Sequence, residues 1–348
     1  MALRVSIAKR KKRQVLLGKD FRYPGERTLY LQAVLGVIVF CALLAGAAYW
    51  MAHTARQKAA ESSRAEISKK ELEELTKEQR EKILALRKPP PLLWQPPAVL
   101  VLWPFAALLV VPVLACAPMR KRLKKLGPRA KVMGNNYPEI WQLLRSQCQL
   151  MGVREPEAYV LEDEVAMVST LSGRRPALII TRPAQQALTG EELAAALGHE
   201  LGHIKCGHVR MMNVITYLRS AHRIWRLVWW PAGLLAFVLS GWSEVIEWSA
   251  DRAALLLVGR IAVVNASMVK LALESDVMAQ VDSSELRQYL AASGELSTDA
   301  EQVERHYRIG TFISEQPGLA DRIRMLGEFP KTDEGQAAFQ KMAEIRAA

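Results

Sequence analysis

The sequence predicts an α+β protein: a mostly helical domain with a small β-sheet, preceded by two membrane-crossing helices. Three observations carry that prediction. Two runs of 22 residues, 31–52 and 98–119, carry no charge, and each is long enough to cross about 30 Å of hydrocarbon as a helix. Beyond residue 131, several short apolar stretches are followed by helical patterns, which is the order of an α+β domain. The basic residues bracket the apolar runs instead of forming a patch on the later domain.

Taken in order, residues 1–28 form a basic segment, 29–52 a first crossing, 53–97 a charged helical hairpin loop, and 98–119 a second crossing. Residues 120–348 form the folded domain, with an apolar insert at 224–242. Gln32 is the one strongly polar side chain of the first run, and the second run tolerates Pro104 and Pro112 if neighbouring groups satisfy the freed carbonyls. A secretory signal fits the first run less well, because the preceding segment is long and the run exceeds the usual apolar length. Arg10, Lys11, Lys12 and Arg13 lie before the first run, and Arg120, Lys121 and Arg122 follow the second, so the positive-inside rule places both flanks in the cytoplasm. The loop carries ten basic residues, diluted by seven glutamates. Ser68 with Glu71 predicts a capping box opening a helix there, and this loop is a candidate docking site for a partner protein.

Forty-seven Lys and Arg against 35 Asp and Glu give a net charge of +12. Charges placed beside apolar runs point to a lipid bilayer as partner and not to nucleic acid. Cys41, Cys116, Cys148 and Cys206 are scattered, and no disulfide is expected. In the folded domain the patterns predict a helix over 138–151, strands over 158–161, 165–170 and 177–181, and helices thereafter.

The chemistry lies in His199-Glu200-Leu201-Gly202-His203. Side chains at i and i+4 share one helix face, so both imidazoles reach a single zinc ion, and Glu200 is placed to act as base on a water. Thr189 with Glu192 forms a capping box, and the alanine-rich segment after it continues a helix into the motif. A catalytic zinc needs a third protein ligand. A histidine in the extended H-E-x-x-H-x-x-G-x-x-H pattern fails here, because Cys206 and Val209 occupy the required positions. The remaining choice is a glutamate from a later helix, which Ser243 would cap. Glu247 is the expected ligand, with Asp251 one turn on to orient a histidine from behind, and Glu244 is the rival. His208 is read as a polar helix end, and His53, His222 and His306 have no ligand partner by spacing.

With these motifs, residues 130–330 resemble the HtpX and CAAX prenyl protease type of integral-membrane zinc metallopeptidases. The resemblance rests on the 193–208 helix, the Glu247-Trp248-Ser249-Ala250-Asp251 stretch and Arg322. Gln316-Pro317 stands where that family has a His-Pro pair. The resemblance implies a zincin-type domain with one zinc per subunit. It implies that Arg322 lies near the site, helping an oxyanion or supporting a ligand helix. It also implies that Val165–Thr170 is the edge strand to which a protein or peptide substrate adds.

The apolar insert cannot cross the bilayer once, because His203 and Glu247 would then lie on opposite sides. It is read as a re-entrant, interfacial or buried-lid segment, or as an ordinary core helix. The expected activity is membrane-anchored endopeptidase cleavage in membrane-protein quality control, at a bacterial inner membrane with the domain in the cytoplasm. The alternative is a proteolytically silent membrane scaffold that organises partners through the 53–97 hairpin.

Overall fold

The computed structural model describes residues 15–66, 76, 110, 117, 119–125, 127–220, 238–272 and 319–347. The chain divides into two units, one of residues 1–27, 114–216 and 240–348, and one of 28–113 and 217–239.

Helix α1 (Glu26–Glu66) opens with two residues of the first unit, and its remainder, in the second, continues well beyond the first apolar run. Its Glu26–Ala55 portion is long and apolar enough to cross a membrane, and is the one such segment among the described residues. Nearly all of the second predicted crossing, most of the 53–97 loop with its Ser68 cap, and most of the 224–242 insert lie outside the described residues.

The first unit is mostly helical with a three-stranded sheet, as the α+β reading expects. Helix α2 (Pro138–Met151) has proline at its first turn, and Gly152 ends it at φ +58°, in the left-handed region. Ile140, Leu144, Cys148 and Met151 make its buried stripe. The strands are β1 (Glu157–Leu161), β2 (Val168–Leu171) and β3 (Ala177–Thr181), in the order β1-β3-β2, with β1 parallel and β2 antiparallel to β3. As the central strand, β3 is buried at every position, which is why it reads as an unbroken apolar run. Ala158, Val160, Leu178 and Ile180 face the main core, while Tyr159, Leu161 and Ile179 pack with Leu123 on the opposite face.

The expected strand over 165–170 starts three residues late. Thr181 Oγ1 accepts from Met167 N and donates to Val165 O, so a side chain replaces the regular ladder there.

Among the described residues the further α-helices are α3 (Arg182–Ala187), α4 (Gly190–Cys206), α5 (Val209–Ser220), α6 (Ser240–Val258), α7 (Ile261–Ala272), α8 (Leu319–Glu328) and α9 (Asp333–Ala347). α6 begins ahead of Ser243, which is therefore inside the helix and not its cap. Trp242 is buried, so the added turn is held by packing. Residues ahead of α1 also join this core: Leu16 and Phe21 are fully buried, and Leu16 N donates to Leu150 O. Cys148 and Cys206 are free thiols, both raised by burial, to about 12 and about 11.

Candidate metal centre

Helix α4 is specified at both ends. Thr189 Oγ1 accepts from Glu192 N, and Thr189 N donates to the Glu192 carboxylate at 2.7 Å, closing the expected capping box. At the other end Gly207, at φ +82°, stops the helix, and its N–H reaches back to His203 O.

α4 packs closely against α6 because glycines face alanines. A Cβ at Gly198 would lie 3.2 Å from Ala254 Cα, and a Cβ at Gly202 would lie 2.8 Å from Ala253 Cβ and 3.1 Å from Ala250 Cα. This close approach sets the reach between side chains of the two helices.

Across that contact, His199, His203 and Glu247 converge. His203 Nε2 lies 3.0 Å from His199 Nε2, and Glu247 Oε2 and Oε1 lie 3.4 Å and 3.5 Å from the two imidazole nitrogens. A tetrahedral zinc with bonds of about 2.1 Å needs ligand atoms about 3.4 Å apart, so these donors fit that ion in type and spacing. Glu247 Oε2 is buried and accepts no hydrogen bond among the described residues, an acceptor left for a cation. Glu244 is exposed and outside this group.

Behind the triangle, Asp251 Oδ1 is 2.8 Å from His199 Nδ1, which leaves Nε2 directed at the other donors. Arg322, from α8, donates to both Asp251 oxygens at 2.8 Å and 2.6 Å and lies 3.4 Å from Glu247 Oε2. It thus braces α6 at two carboxylates, while Gln316-Pro317 lies outside the described residues.

Burial opposes each charge in this site. For Glu247 and Asp251 the opposition is outweighed: His199 and Arg322 hold Glu247 well below the usual carboxylate range, and Arg322 and His199 lower Asp251. Burial works against a charged His199 too, yet Asp251 and Glu247 raise that imidazole to about 10. His203 is pushed well down, chiefly by burial. Burial raises Glu200 to about 7, against the pull of the His199 and Arg322 charges. With the charged His199 beside Glu247 and Arg322 paired to Asp251, the positive and negative groups balance, so a cation bound at the donor triangle takes the place of the His199 proton.

Sequence reasoning missed a buried line of groups on the far side of His203. His208 follows the end of α4, as its reading as a polar helix end expects, but it is 2 % exposed and held among buried partners. Its Nδ1 lies 3.1 Å from His203 Nδ1, and its Nε2 lies 2.9 Å from Glu26 Oε1. Spacing along the chain carried no signal for this line, because Glu26 lies 182 residues from His208 and reads as one more flanking charge.

β2 is an edge strand of the sheet, as the resemblance implied, and packs against α4. Asn213, from α5, accepts from Ser172 N and donates to Thr170 O, holding one end of that edge.

The pattern of Peptidase family M48 matches residues 144–329, more than half of the chain. Plastoglobule-localized metallopeptidase 48, chloroplastic, of Arabidopsis thaliana is 31% identical over 155 residues, covering 43% of this chain and 44% of that protein. A protease HtpX homolog of Thermoplasma volcanium is 38% identical over 88 residues, covering 24% of this chain and 26% of that protein. Another, of Lactiplantibacillus plantarum, is 27% identical over 103 residues, covering 28% and 34%. The matched part of the chain spans less than half the length of each of these relatives. No solved structure matches it. Two histidines and a glutamate at zinc spacing thus fall inside a family match that covers most of the folded domain, and the chain belongs to Peptidase family M48, of the HtpX type.

Proposed function

We propose that this chain is a membrane-anchored zinc endopeptidase, with His199, His203 and Glu247 holding one zinc and Glu200 as catalytic base. The observation that carries the reading is the convergence of three donors of the right chemistry at 3.0 to 3.5 Å, one residue from a buried glutamate. When bound, zinc supplies Lewis-acid polarisation of the scissile carbonyl and acidifies a water. Glu200 takes a proton from that water as it attacks and returns it to the leaving amine, with no covalent intermediate. Its raised proton affinity suits both steps near neutral pH. Asp251 holds His199 in the tautomer that presents Nε2, and Arg322 supports the ligand helix by pairing with Asp251 and Glu247. β2, at an edge of the sheet, offers the backbone groups ahead of the Asn213 contact to an extended peptide.

The anchoring role rests on the apolar stretch of α1, and the basic flanks favour a cytoplasmic domain at a bacterial inner membrane. Protein substrates fit a relative named as a protease, and membrane tethering favours membrane-protein quality control.

Zinc content and casein cleavage, measured on detergent-purified wild type, Glu200→Gln and Glu247→Ala, test this reading. Wild type is expected to hold one zinc and cleave, Glu200→Gln to hold zinc without cleaving, and Glu247→Ala to lose zinc. Cleavage by Glu200→Gln, or stoichiometric zinc in Glu247→Ala, would refute the assignments. A wild type that binds no zinc would favour the scaffold.

A further inference from the structure

We propose that Glu26, acting through His208, is a positioning residue for the metal ligand His203, which makes the first turn of α1 a working part of the metal centre. The inference rests on the zinc-site reading above.

The local chain geometry brings His208 to this place. The left-handed Gly207 turns the backbone so that His208 N donates to His203 O at 3.0 Å, and the His208 ring lies beside His203. The two Nδ1 atoms are then 3.1 Å apart. His208 Nε2 meets Glu26 Oε1 at 2.9 Å, and Glu26 Oε2 accepts from Ser249 Oγ at 2.5 Å. His203, His208, Glu26 and Ser249 are each no more than 3 % exposed, so none of these bonds is readily exchanged for water.

Hydrogen-bond chemistry gives the line a direction. An ionised carboxylate only accepts, so His208 Nε2 must donate to Glu26. The lone pair of His208 then lies on Nδ1 and accepts from His203 Nδ1–H. That leaves the lone pair of His203 on Nε2, the atom 3.5 Å from Glu247 Oε1. His199 reaches the same state through Asp251 directly. Each histidine ligand is therefore backed by a carboxylate, one in contact and one through an intervening imidazole.

Glu26 is itself fixed from three directions. Arg22 Nε lies 3.2 Å from Oε1, and the Arg22 guanidinium also donates to Cys206 O at 2.8 Å, on the helix that carries both histidines. Ser249, two residues beyond Glu247 on α6, binds the other oxygen and accepts from Tyr23 N at 2.9 Å. Arg252 stacks on the Tyr23 ring at 4.7 Å. One short segment thus ties α4 to α6 at the back of the donor triangle, opposite the brace that Arg322 supplies.

Zinc affinity by competition with a chromophoric chelator, and the visible spectrum of the cobalt-substituted protein, test this on the full chain in detergent. Glu26→Ala is expected to lower affinity about 10- to 100-fold, the range for losing a group that orients a ligand, and to alter the cobalt bands. Glu26→Gln keeps a carbonyl acceptor for His208 and is expected to lose less. Because Glu26 acts through His208, the Glu26→Ala/His208→Ala double variant is expected to bind no more weakly than His208→Ala alone. Phe21→Leu disturbs the packing of the same segment and is expected to lower the melting temperature while leaving affinity within twofold of wild type. The inference is overturned if folded Glu26→Ala binds zinc as wild type does, if the two substitutions are additive, or if Phe21→Leu weakens zinc as much as Glu26→Ala. If Glu26→Ala does not fold, Glu26→Gln decides: wild-type affinity and cobalt bands would overturn the inference. A wild type without zinc affinity refutes the metal reading itself, a result distinct from all of these.

Discussion

Replacing Gly202 with alanine adds one methyl group at the contact that sets the donor spacing. That methyl would lie 2.8 Å from Ala253 Cβ and 3.1 Å from Ala250 Cα, against an ordinary carbon contact of about 3.5 to 4.0 Å. Neither neighbour is the end of a flexible side chain, so α4 and α6 must separate by roughly 0.7 Å. The stability effect is modest, because alanine gains about 1 kcal/mol of helix propensity over glycine while overpacking costs about 1 to 3 kcal/mol. The metal effect is larger, since zinc distances tolerate only about 0.2 Å and Glu247 moves with α6. Gly202→Ala is therefore expected to lose at least tenfold in zinc affinity by chelator competition, with a net destabilisation of about 0 to 2 kcal/mol in thermal unfolding. Gly190→Ala, where a Cβ meets nothing within 4 Å, is the matched control and is expected to leave zinc binding unchanged. Wild-type affinity in Gly202→Ala would show that the helix contact does not set the donor triangle.

Arg322→Ala leaves Asp251 and Glu247 buried without their shared cation, and is expected to cost about 3 to 5 kcal/mol in chemical unfolding; a loss under about 1 kcal/mol would contradict the bracing role. In the zinc-stripped protein, Glu200 binds its proton more tightly folded, at about 7, than at an ordinary glutamate's 4.5. Its contribution is thus fully present below pH 4.5 and lost as pH rises through 7, so Glu200→Gln should gain about 3 kcal/mol over wild type across that window. A stability difference that stays flat with pH would rule this out. Thr189→Ala removes the cap of α4 and is expected to cost about 1 kcal/mol without changing zinc affinity, which the same unfolding and chelator measurements check.

Much of the candidate site was legible in the sequence because it is local. The i, i+4 spacing of His199 and His203 and the Thr189–Glu192 cap depend only on helix periodicity and end chemistry, and the structure places them as expected. The short β-rich runs likewise announced three strands, although the start of β2 shifted because a distant Thr181 hydroxyl captured its backbone. Choosing Glu247 over Glu244 needed more than spacing. Both lie on one helix, and the rotation of α6 against Gly198 and Gly202 turns one carboxylate inward and leaves the other exposed.

What the sequence by itself determined is thus the periodic and compositional part: an H-E-x-x-H helix, a later acidic helix, a small sheet, and an apolar helix long enough to cross a bilayer. Only the tertiary structure decided which groups stand behind the ligands. Arg322 reaches Asp251 across 71 residues of chain and Glu26 reaches His208 across 182, separations at which no helix or strand period carries information. Residues just ahead of the apolar run also belong to the core, with Leu16 and Phe21 fully buried and Glu26 beneath the metal ligands. The physical reason is that a buried charge must be paired, and its partner is chosen by three-dimensional packing, not by distance along the chain.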